Sequence, residues 1–231
     1  EAFYTPSTLY SSNQFFADPQ VNVKSFTSIG KVYGGGLGTT ATMVGNPTVN
    51  VSVANGIFYN NDNAVVAEGT KTSGGYPVPS HAKGKIGAIN NVYGGGNAAD
   101  VVGNTNVNIG TDEYVFVTKE YAVGATLSEN CYIRTGAGTA ASPYNYTSPS
   151  GTVAENMTYY ERIAVVGADI RGNVYGGGYG AATTVTGDVT VNVGGQKSDG
   201  TFIDNDIAIG GSVYGGSALG AVNATRSTSD S

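Results

Sequence analysis

Val32-Tyr33-Gly34-Gly35-Gly36 is a five-residue phrase that returns as Val92-Tyr93-Gly94-Gly95-Gly96 and as Val174-Tyr175-Gly176-Gly177-Gly178. A shortened fourth copy, Val213-Tyr214-Gly215-Gly216-Ser217, follows later in the chain. The return of a tyrosine together with its glycines marks an internal repeat. Repeats of this size are typical of architectures in which each copy contacts only its neighbours.

A second phrase alternates apolar and polar residues, which indicates a strand with buried valines and outward asparagines. Its copies are Val21-Asn22-Val23, Val49-Asn50-Val51, Val107-Asn108-Ile109 and Val191-Asn192-Val193. A short step that ends in glycine lies between the two phrases, at Met43-Val44-Gly45, Val101-Val102-Gly103 and Val185-Thr186-Gly187. One complete copy, from Val32 to Val51, spans about 20 residues, the size of one coil in a solenoid.

Period-two strands joined by glycine corners predict an all-β chain whose domain is a parallel β-helix, or β-solenoid. Triple glycine and β-branched alternation both oppose helix formation, so almost no helix is expected. A β-sandwich of repeated hairpins is the alternative fold, because strand signals alone do not distinguish parallel from antiparallel pairing.

The repeat chemistry suits a stack of coils. A tyrosine at the same point of every coil can stack on the rings above and below it. Glycine lets successive backbones approach closely. The residues predicted to build the stack are Tyr33, Tyr93, Tyr175, Tyr214, Val49, Val51, Val107, Ile109, Val191 and Val193.

The path from the second phrase back to the next tyrosine varies in length, which predicts excursions on one face of the coils. Each return ends in a similar way, which predicts that the chain rejoins in register, at Ile29-Gly30, Ile86-Gly87, Ile170-Arg171-Gly172 and Ile209-Gly210. The longest excursion, residues 110–170, carries strand-like runs, and a Pro- and Gly-punctuated aromatic loop is expected at 142–151. The strand-like runs lie at 114–117, 131–133 and 159–166.

The predicted organisation has two parts. Residues 1–20 match no repeat and are rich in aromatic side chains, which indicates an arm or a cap. Residues 21–231 are predicted to form a single β-solenoid domain that includes the long excursion.

Composition excludes several classes of function. Charged residues make up 12% of the chain, and the net charge of −6 includes no basic stripe, so nucleic acid is not an expected partner. No apolar run approaches the roughly 18 residues of a transmembrane helix, so no transmembrane segment is expected. No cofactor or metal motif is found, because the glycine runs lack the order of a dinucleotide-binding loop. The first residue, Glu1, is consistent with a removed signal peptide and with export.

The Val-Tyr-Gly-Gly-Gly and Val-Asn-Val phrases resemble the Gly-rich repeat arrays of bacterial surface proteins, adhesin-like or autotransporter-like, whose passenger regions are right-handed parallel β-helices. The resemblance covers residues 21–222 apart from the excursions. It implies a β-helical fold and an extracellular or cell-surface location. It carries over no catalytic residue.

A β-helical polysaccharide-degrading enzyme is one alternative function. The candidate carboxylates are Asp100, Asp188, Asp204 and Asp206. Of these, Asp204 and Asp206 are spaced to share one strand face, which suits glycoside hydrolysis or calcium binding. The only histidine, His81, has no nucleophile motif beside it, so we expect a protein with no catalytic residue. The single cysteine, Cys131, is interpreted as a small half-buried side chain.

An adhesin or glycan-binding surface module is another alternative function. The 16 tyrosines could offer stacking platforms for sugars, and those outside the repeat concentrate in the arm and the 110–170 excursion. Acceptor sequons make four asparagines candidates for glycosylation. They are Asn50, Asn145, Asn156 and Asn223.

The order of phrases favours assembly. The array begins with a Val-Asn-Val phrase and finishes with a tyrosine phrase, and exposed strand edges invite strand addition by another chain. Contacts between unlike ends propagate if the rotation does not close. The main prediction is therefore an extracellular structural subunit that joins copies of itself head to tail in a filament or surface layer. The candidate contact residues are Phe3, Tyr4, Tyr10, Phe15, Phe16, Ser217 and Val222.

Overall fold

Strands are the only regular structure in the residues that the computed structural model describes, which are 18–26, 28–56, 87–138 and 142–223. The all-β prediction is confirmed, and these ranges contain no helix. Two compact units are present. The inserted unit is Tyr114–Ala164, and the repeat unit is formed by the chain on either side of it.

The tyrosine phrases form parallel strands of the repeat unit. Tyr33 pairs with Tyr93, Tyr93 with Tyr175, and Tyr175 with Tyr214, so equivalent residues lie side by side. Valine and tyrosine favour extended backbone, and each strand ends where its glycines begin. These strands are β2 (Ser28–Tyr33), β5 (Ala88–Tyr93), β13 (Val174–Tyr175) and β17 (Val213–Tyr214).

The three short glycine steps and the segment Ala221–Val222 form a separate sheet of four parallel strands. Gly45 and Gly103 follow two of these strands with φ of 133° and 146°, a left-handed region that favours glycine, so the strands are brief. They are β3 (Met43–Val44), β6 (Val101–Val102), β14 (Thr184–Val185) and β18 (Ala221–Val222), in the order β18-β14-β6-β3.

The Val-Asn-Val phrases also pair in parallel with equivalent residues opposite each other. Their strands are β1 (Gln20–Phe26), β4 (Thr48–Gly56), β7 (Thr105–Ile109) and β15 (Val189–Val193). Val49, Val51, Val107 and Ile109 are fully buried, as the alternation predicts. In β15 the alternation is weaker, because this strand pairs with β7 alone among the described strands, and Val193 is 46% exposed.

A further strand, β12 (Gly167–Ile170), joins the tyrosine and asparagine phrases into one sheet. The strand β16 (Asp206–Ile209) pairs with β12. β12 runs parallel to β5 and β16 but antiparallel to β4, so the ten-stranded sheet is mixed.

The register of the returning chain differs from the predicted one. Ile29 and Ile170 both pair with Ile89, and Ile170 also pairs with Ile209. Ile86 lies outside the described residues, and the choice of Ile86-Gly87 as the return was wrong. Val92 follows Ile89 by three positions, as Val32 follows Ile29, and the parallel ladder requires this equal spacing.

The core of the repeat unit consists of valines and isoleucines from these parallel strands. Burying one such side chain contributes about 1.5–3 kcal/mol. The fully buried members are Val49, Val51, Val53, Ile89, Val92, Val107, Ile109, Ile170 and Val174, together with Ala168. The repeat phrases pair in parallel, which is not the pairing that a sandwich of hairpins requires.

The inserted unit is an antiparallel sheet with the strand order β10-β9-β11-β8. Its strands are β8 (Tyr114–Lys119), β9 (Cys131–Thr135), β10 (Asn145–Thr147) and β11 (Tyr159–Ala164). Strands were predicted at three of these places. The irregular loop predicted at 142–151 contains β10, because Asn145–Thr147 pairs with β9 despite the flanking prolines.

One face of the inserted sheet forms its own small core. Cys131, Val153 and Tyr159 are buried there, with Tyr121 and Leu127 packed against them. Cys131 is fully buried rather than half-buried. Residues 1–17 of the proposed arm lie outside the described residues, and the assignment of 21–231 to a single domain stays a prediction.

Candidate functional site

The four repeat tyrosines form a continuous ladder of stacked rings. Ring centroids are 4.8 Å apart for Tyr33 and Tyr93, 5.1 Å for Tyr93 and Tyr175, and 4.9 Å for Tyr175 and Tyr214. This spacing follows from the distance of about 4.8 Å between neighbouring strands. Tyr93 has a ring on each side and is 3% exposed, whereas Tyr214 has one neighbour in the ladder and is 45% exposed. The ladder therefore finishes on an open ring.

Burial changes the acidity of the inner tyrosines. Desolvation, together with repulsion from Tyr33, Tyr175 and Tyr179, raises the pKa of Tyr93 from 10.0 to about 12. The pKa of Tyr33 is also raised, mainly by desolvation. Neutral tyrosine is therefore favoured in the folded chain.

We expect stability to fall in alkali because the unfolded chain releases the Tyr93 proton first. The contribution of neutral Tyr93 is complete below pH 10 and is lost as the pH rises through about 12. The expected loss is roughly 2 kcal/mol. Urea unfolding at several pH values between 9 and 12 measures it. Tyr93→Phe should flatten the decline, and an unchanged decline in that variant would contradict this assignment.

Close backbone approach explains the glycines of the phrase. A Cβ on Gly34 would collide with the carbonyl oxygen of Gly94, and a Cβ on Gly94 would collide with that of Gly176. A Cβ on Gly95 would lie 2.9 Å from the nitrogen of Gly178. None of these three glycines has a positive φ. The neighbouring copy, not a turn conformation, therefore requires glycine here.

The two glycines of the fourth copy have no such close neighbour among the described atoms. No described atom lies within 4 Å of a Cβ built on Gly215 or Gly216, and neither residue has a positive φ. Ser217 takes the place of the third glycine, and its hydroxyl accepts the N–H of Gly178 at 3.0 Å. Ser217 is thus bonded to the third copy.

The first two glycines of each tyrosine phrase donate hydrogen bonds in one direction along the ladder. The N–H of the first glycine donates to the tyrosine carbonyl of the next copy, as from Gly94 to Tyr175 at 2.9 Å and from Gly176 to Tyr214 at 2.9 Å. The second glycine donates to the second glycine of the next copy at 3.0 Å, as from Gly177 to Gly216.

Because these glycine hydrogen bonds run in one direction, the two ends of the tyrosine ladder differ. Among the described residues, no acceptor meets the N–H groups of Gly215 and Gly216. Outside the strand ladders, no described residue donates to the carbonyls of Tyr33 and Gly35. At these four positions, one end of the ladder presents N–H donors and the other presents carbonyl acceptors.

The asparagines of the second phrase form another ladder. Asn50 donates its side-chain amide to Asn22, Asn108 to Asn50, and Asn192 to Asn108, each at 2.8 Å. Asn50 thus accepts one amide bond and donates another. The sequon asparagine lies inside this ladder.

The remaining predicted contact and glycosylation residues are scattered. Phe3, Tyr4, Tyr10, Phe15 and Phe16 lie outside the described residues. Val222 is partly buried in β18, where it pairs with Val185. Asn145, Asn156 and Asn223 are exposed, and their glycosylation stays a prediction.

The candidate carboxylates do not form a site. Asp206 begins β16, whereas Asp204 precedes the strand, so the prediction that they share a strand face was wrong. The strand starts at Asp206 because pairing with Gly167 of β12 begins there. Asp100 accepts the backbone N–H of Thr184 at 2.7 Å, which is a structural role. His81 lies outside the described residues, and within the described ranges no three His, Cys, Asp or Glu side chains are grouped to hold a metal.

The inserted unit carries a cluster of arginines and tyrosines that was not predicted from the sequence. The Arg134 guanidinium lies 4.1 Å from the ring centroid of Tyr144 and 5.0 Å from that of Tyr160. The Arg162 guanidinium lies 4.5 Å from the ring of Tyr114 and 5.8 Å from that of Tyr132. We call these six residues the arginine–tyrosine face. The signal in the sequence is Tyr-x-Arg within a strand, at residues 132–134 and 160–162, because period two puts both side chains on one face.

A cleft of about 680 Å³ also lies in the inserted unit. Tyr121, Val153, Met157 and Tyr159 line it together with Lys119. The Lys119 ammonium is 3.4 Å from the Glu161 carboxylate, so this cation is already paired.

Comparison with known proteins assigns no function to these features. The ranges that the structure describes include no helix able to cross a bilayer. The chain matches no protein-family model, no curated protein and no solved structure.

Proposed function

We propose that the chain is a non-enzymatic extracellular structural subunit that assembles head to tail with copies of itself into a filament or surface layer. Its repeat unit is, in this proposal, a parallel β-helix, or β-solenoid. The in-register parallel pairing of all three phrases supports this fold, because each phrase adds a strand to the same ladder in every copy. The extracellular location rests on the resemblance to Gly-rich surface proteins.

The observation that carries the proposal is the open glycine pair of the fourth copy. In the first two copies, the first two glycines are needed because the next backbone approaches too closely for a Cβ. In the third copy, a Cβ would collide with the side chains of Val189 and Ser217. Gly215 and Gly216 keep glycine although no described atom approaches them. Glycine costs roughly 0.5–1 kcal/mol relative to alanine in a strand or helix. A further backbone seated on this pair would account for both glycines.

The two ends of the tyrosine ladder are complementary. The N–H groups of Gly215 and Gly216 could donate to the carbonyls of Tyr33 and Gly35 in a second copy, as Gly176 and Gly177 donate within the chain. The open ring of Tyr214 could stack on Tyr33 of that copy. A contact between unlike ends is heterologous, and it propagates unless the rotation closes.

Gly215→Val is expected to abolish assembly without lowering the stability of the monomer. No described atom lies within 4 Å of a Cβ at Gly215, whereas a backbone seated on this position would collide with a valine side chain. A clash of about 3 kcal/mol would weaken association roughly 100-fold. Sedimentation velocity and electron microscopy of the 231-residue chain and its variant measure the effect.

The matched control is Thr190→Leu, which adds bulk at an exposed outward position of β15. This variant should assemble like the unaltered chain. Thermal unfolding should show that Gly215→Val is folded. If the unaltered chain remains monomeric at high concentration, or if Gly215→Val assembles normally, the proposal is wrong.

The adhesin or glycan-binding alternative has its own supporting observation in the arginine–tyrosine face. That observation concerns a different unit of the chain, and it does not depend on assembly. The polysaccharide-degrading alternative has no comparable support among the described residues, since Asp204 and Asp206 do not share a strand.

A further inference from the structure

We propose that the arginine–tyrosine face of the inserted unit binds acidic carbohydrate, a chain of sugars that carry carboxylates. This inference goes beyond self-assembly and stands independently of it. The register of the antiparallel strands determines which side chains lie on each face of the inserted sheet.

The face opposite the small core is rich in aromatic and cationic groups. Strand alternation puts Phe116 and Arg162 on it, where they are cross-strand partners. Tyr146 and Arg134 are also cross-strand partners on this face. The positions of the four strands that share this face hold no Asp or Glu. The only charged groups supplied by these positions are therefore the two guanidinium groups.

Stacking holds both guanidinium groups in place. Arg134 lies against Tyr144 and Tyr160, and Arg162 lies against Tyr114 and Tyr132. Phe116 stacks on Tyr146 at 3.7 Å between ring centroids, which stiffens the middle of the face. Stacking uses the flat sides of a guanidinium and leaves its N–H edge free to bind a carboxylate with two hydrogen bonds. Among the described residues, neither arginine side chain has an ion pair or a hydrogen bond.

The open tyrosine rings favour a sugar as the carrier of the carboxylate. Tyr144 is 46% exposed and Tyr114 is 41% exposed, so each ring retains surface for an apolar sugar face. An acidic peptide offers carboxylates but no rigid ring at each one. Because the chain carries a net charge of −6, general attraction does not draw an acidic polymer to it. Binding must depend on these two arginines.

The test titrates the full chain with an oligogalacturonate and with its fully methyl-esterified form, by calorimetry. The acidic oligosaccharide should bind, and the neutral ester should bind at least tenfold more weakly. Arg134→Gln and Arg162→Gln should each weaken binding about tenfold or more, because each removes a charged hydrogen-bonding pair. Lys119→Gln is the matched control, since it removes a cation of the same unit that is already paired with Glu161.

Arg134→Lys tests whether binding needs the planar guanidinium as well as its positive charge. It keeps the positive charge but loses the stacked plane, so it should also bind more weakly. Circular dichroism checks that each variant is folded, and the comparison of acid with ester in the unaltered chain needs no variant. The proposal is overturned if the oligogalacturonate does not bind, if the ester binds equally well, or if both glutamine variants keep full affinity. Tighter binding of poly-glutamate than of oligogalacturonate would overturn it in favour of an acidic peptide.

Discussion

Gly94→Ala is expected to lower the free energy of unfolding by about 3 kcal/mol or more. The new Cβ would collide with the carbonyl oxygen of Gly176 and would lie 2.9 Å from a methyl group of Val107. The two backbones cannot easily separate, because Gly94 donates its N–H to Tyr175 at 2.9 Å and the rings of Tyr93 and Tyr175 stack at 5.1 Å. Equilibrium unfolding in urea measures the change.

Gly30→Ala is the matched control for this substitution. Gly30 also lies in a parallel strand, has no positive φ, and has no described atom within 4 Å of its added Cβ. Its replacement should change stability by no more than about 0.5–1 kcal/mol, and the loss of backbone freedom in the unfolded chain favours a small gain. If Gly94→Ala and Gly30→Ala changed the free energy of unfolding equally, close approach of the neighbouring backbone would not be the reason for glycine at Gly94.

Val51→Ala is expected to cost about 2–3 kcal/mol, because it removes two methyl groups from a fully buried position and leaves a cavity. The same change at the equivalent position of another copy, Val193→Ala, should cost less than about 1 kcal/mol. Val193 occupies the same register, two residues along from Val191 as Val51 is from Val49, but it is 46% exposed.

Urea unfolding of the two variants measures this difference directly. The comparison holds the amino acid, the substitution and the place in the repeat constant, so burial is the main variable. If both variants lose the same stability, the core does not end at β15 in solution. If the two variants lose the same stability in assembled protein but not in monomer, a second copy covers Val193.

The local pattern of the chain was sufficient to predict the strands of the tyrosine and asparagine phrases and their alignment. Period-two alternation put Val49 and Val51 inside and Asn50 outside, and recurrence of the tyrosine phrase aligned Tyr33, Tyr93, Tyr175 and Tyr214. These features depend on neighbouring residues and on repetition, both of which a sequence displays. Helix could be excluded for the same reason.

Long-range pairing was not visible in the pattern. Residues 142–151 have the composition of a loop, yet Asn145–Thr147 becomes a strand because β9 offers it hydrogen bonds. The return of the chain at Ile89, not Ile86, follows from the ladder with Ile29. Asp204 lies outside β16 because pairing begins at Asp206.

Both candidate sites depend on which side chains and backbones meet across the fold. Gly215-Gly216 has the same letters as Gly94-Gly95, but one pair meets a neighbouring backbone and the other meets no described atom. Arg134 and Tyr160 are far apart in sequence and become neighbours through the pairing of β9 with β11. A repeat specifies the conformation of each copy through local chemistry, whereas contact and exposure arise from the partner that each copy meets in space.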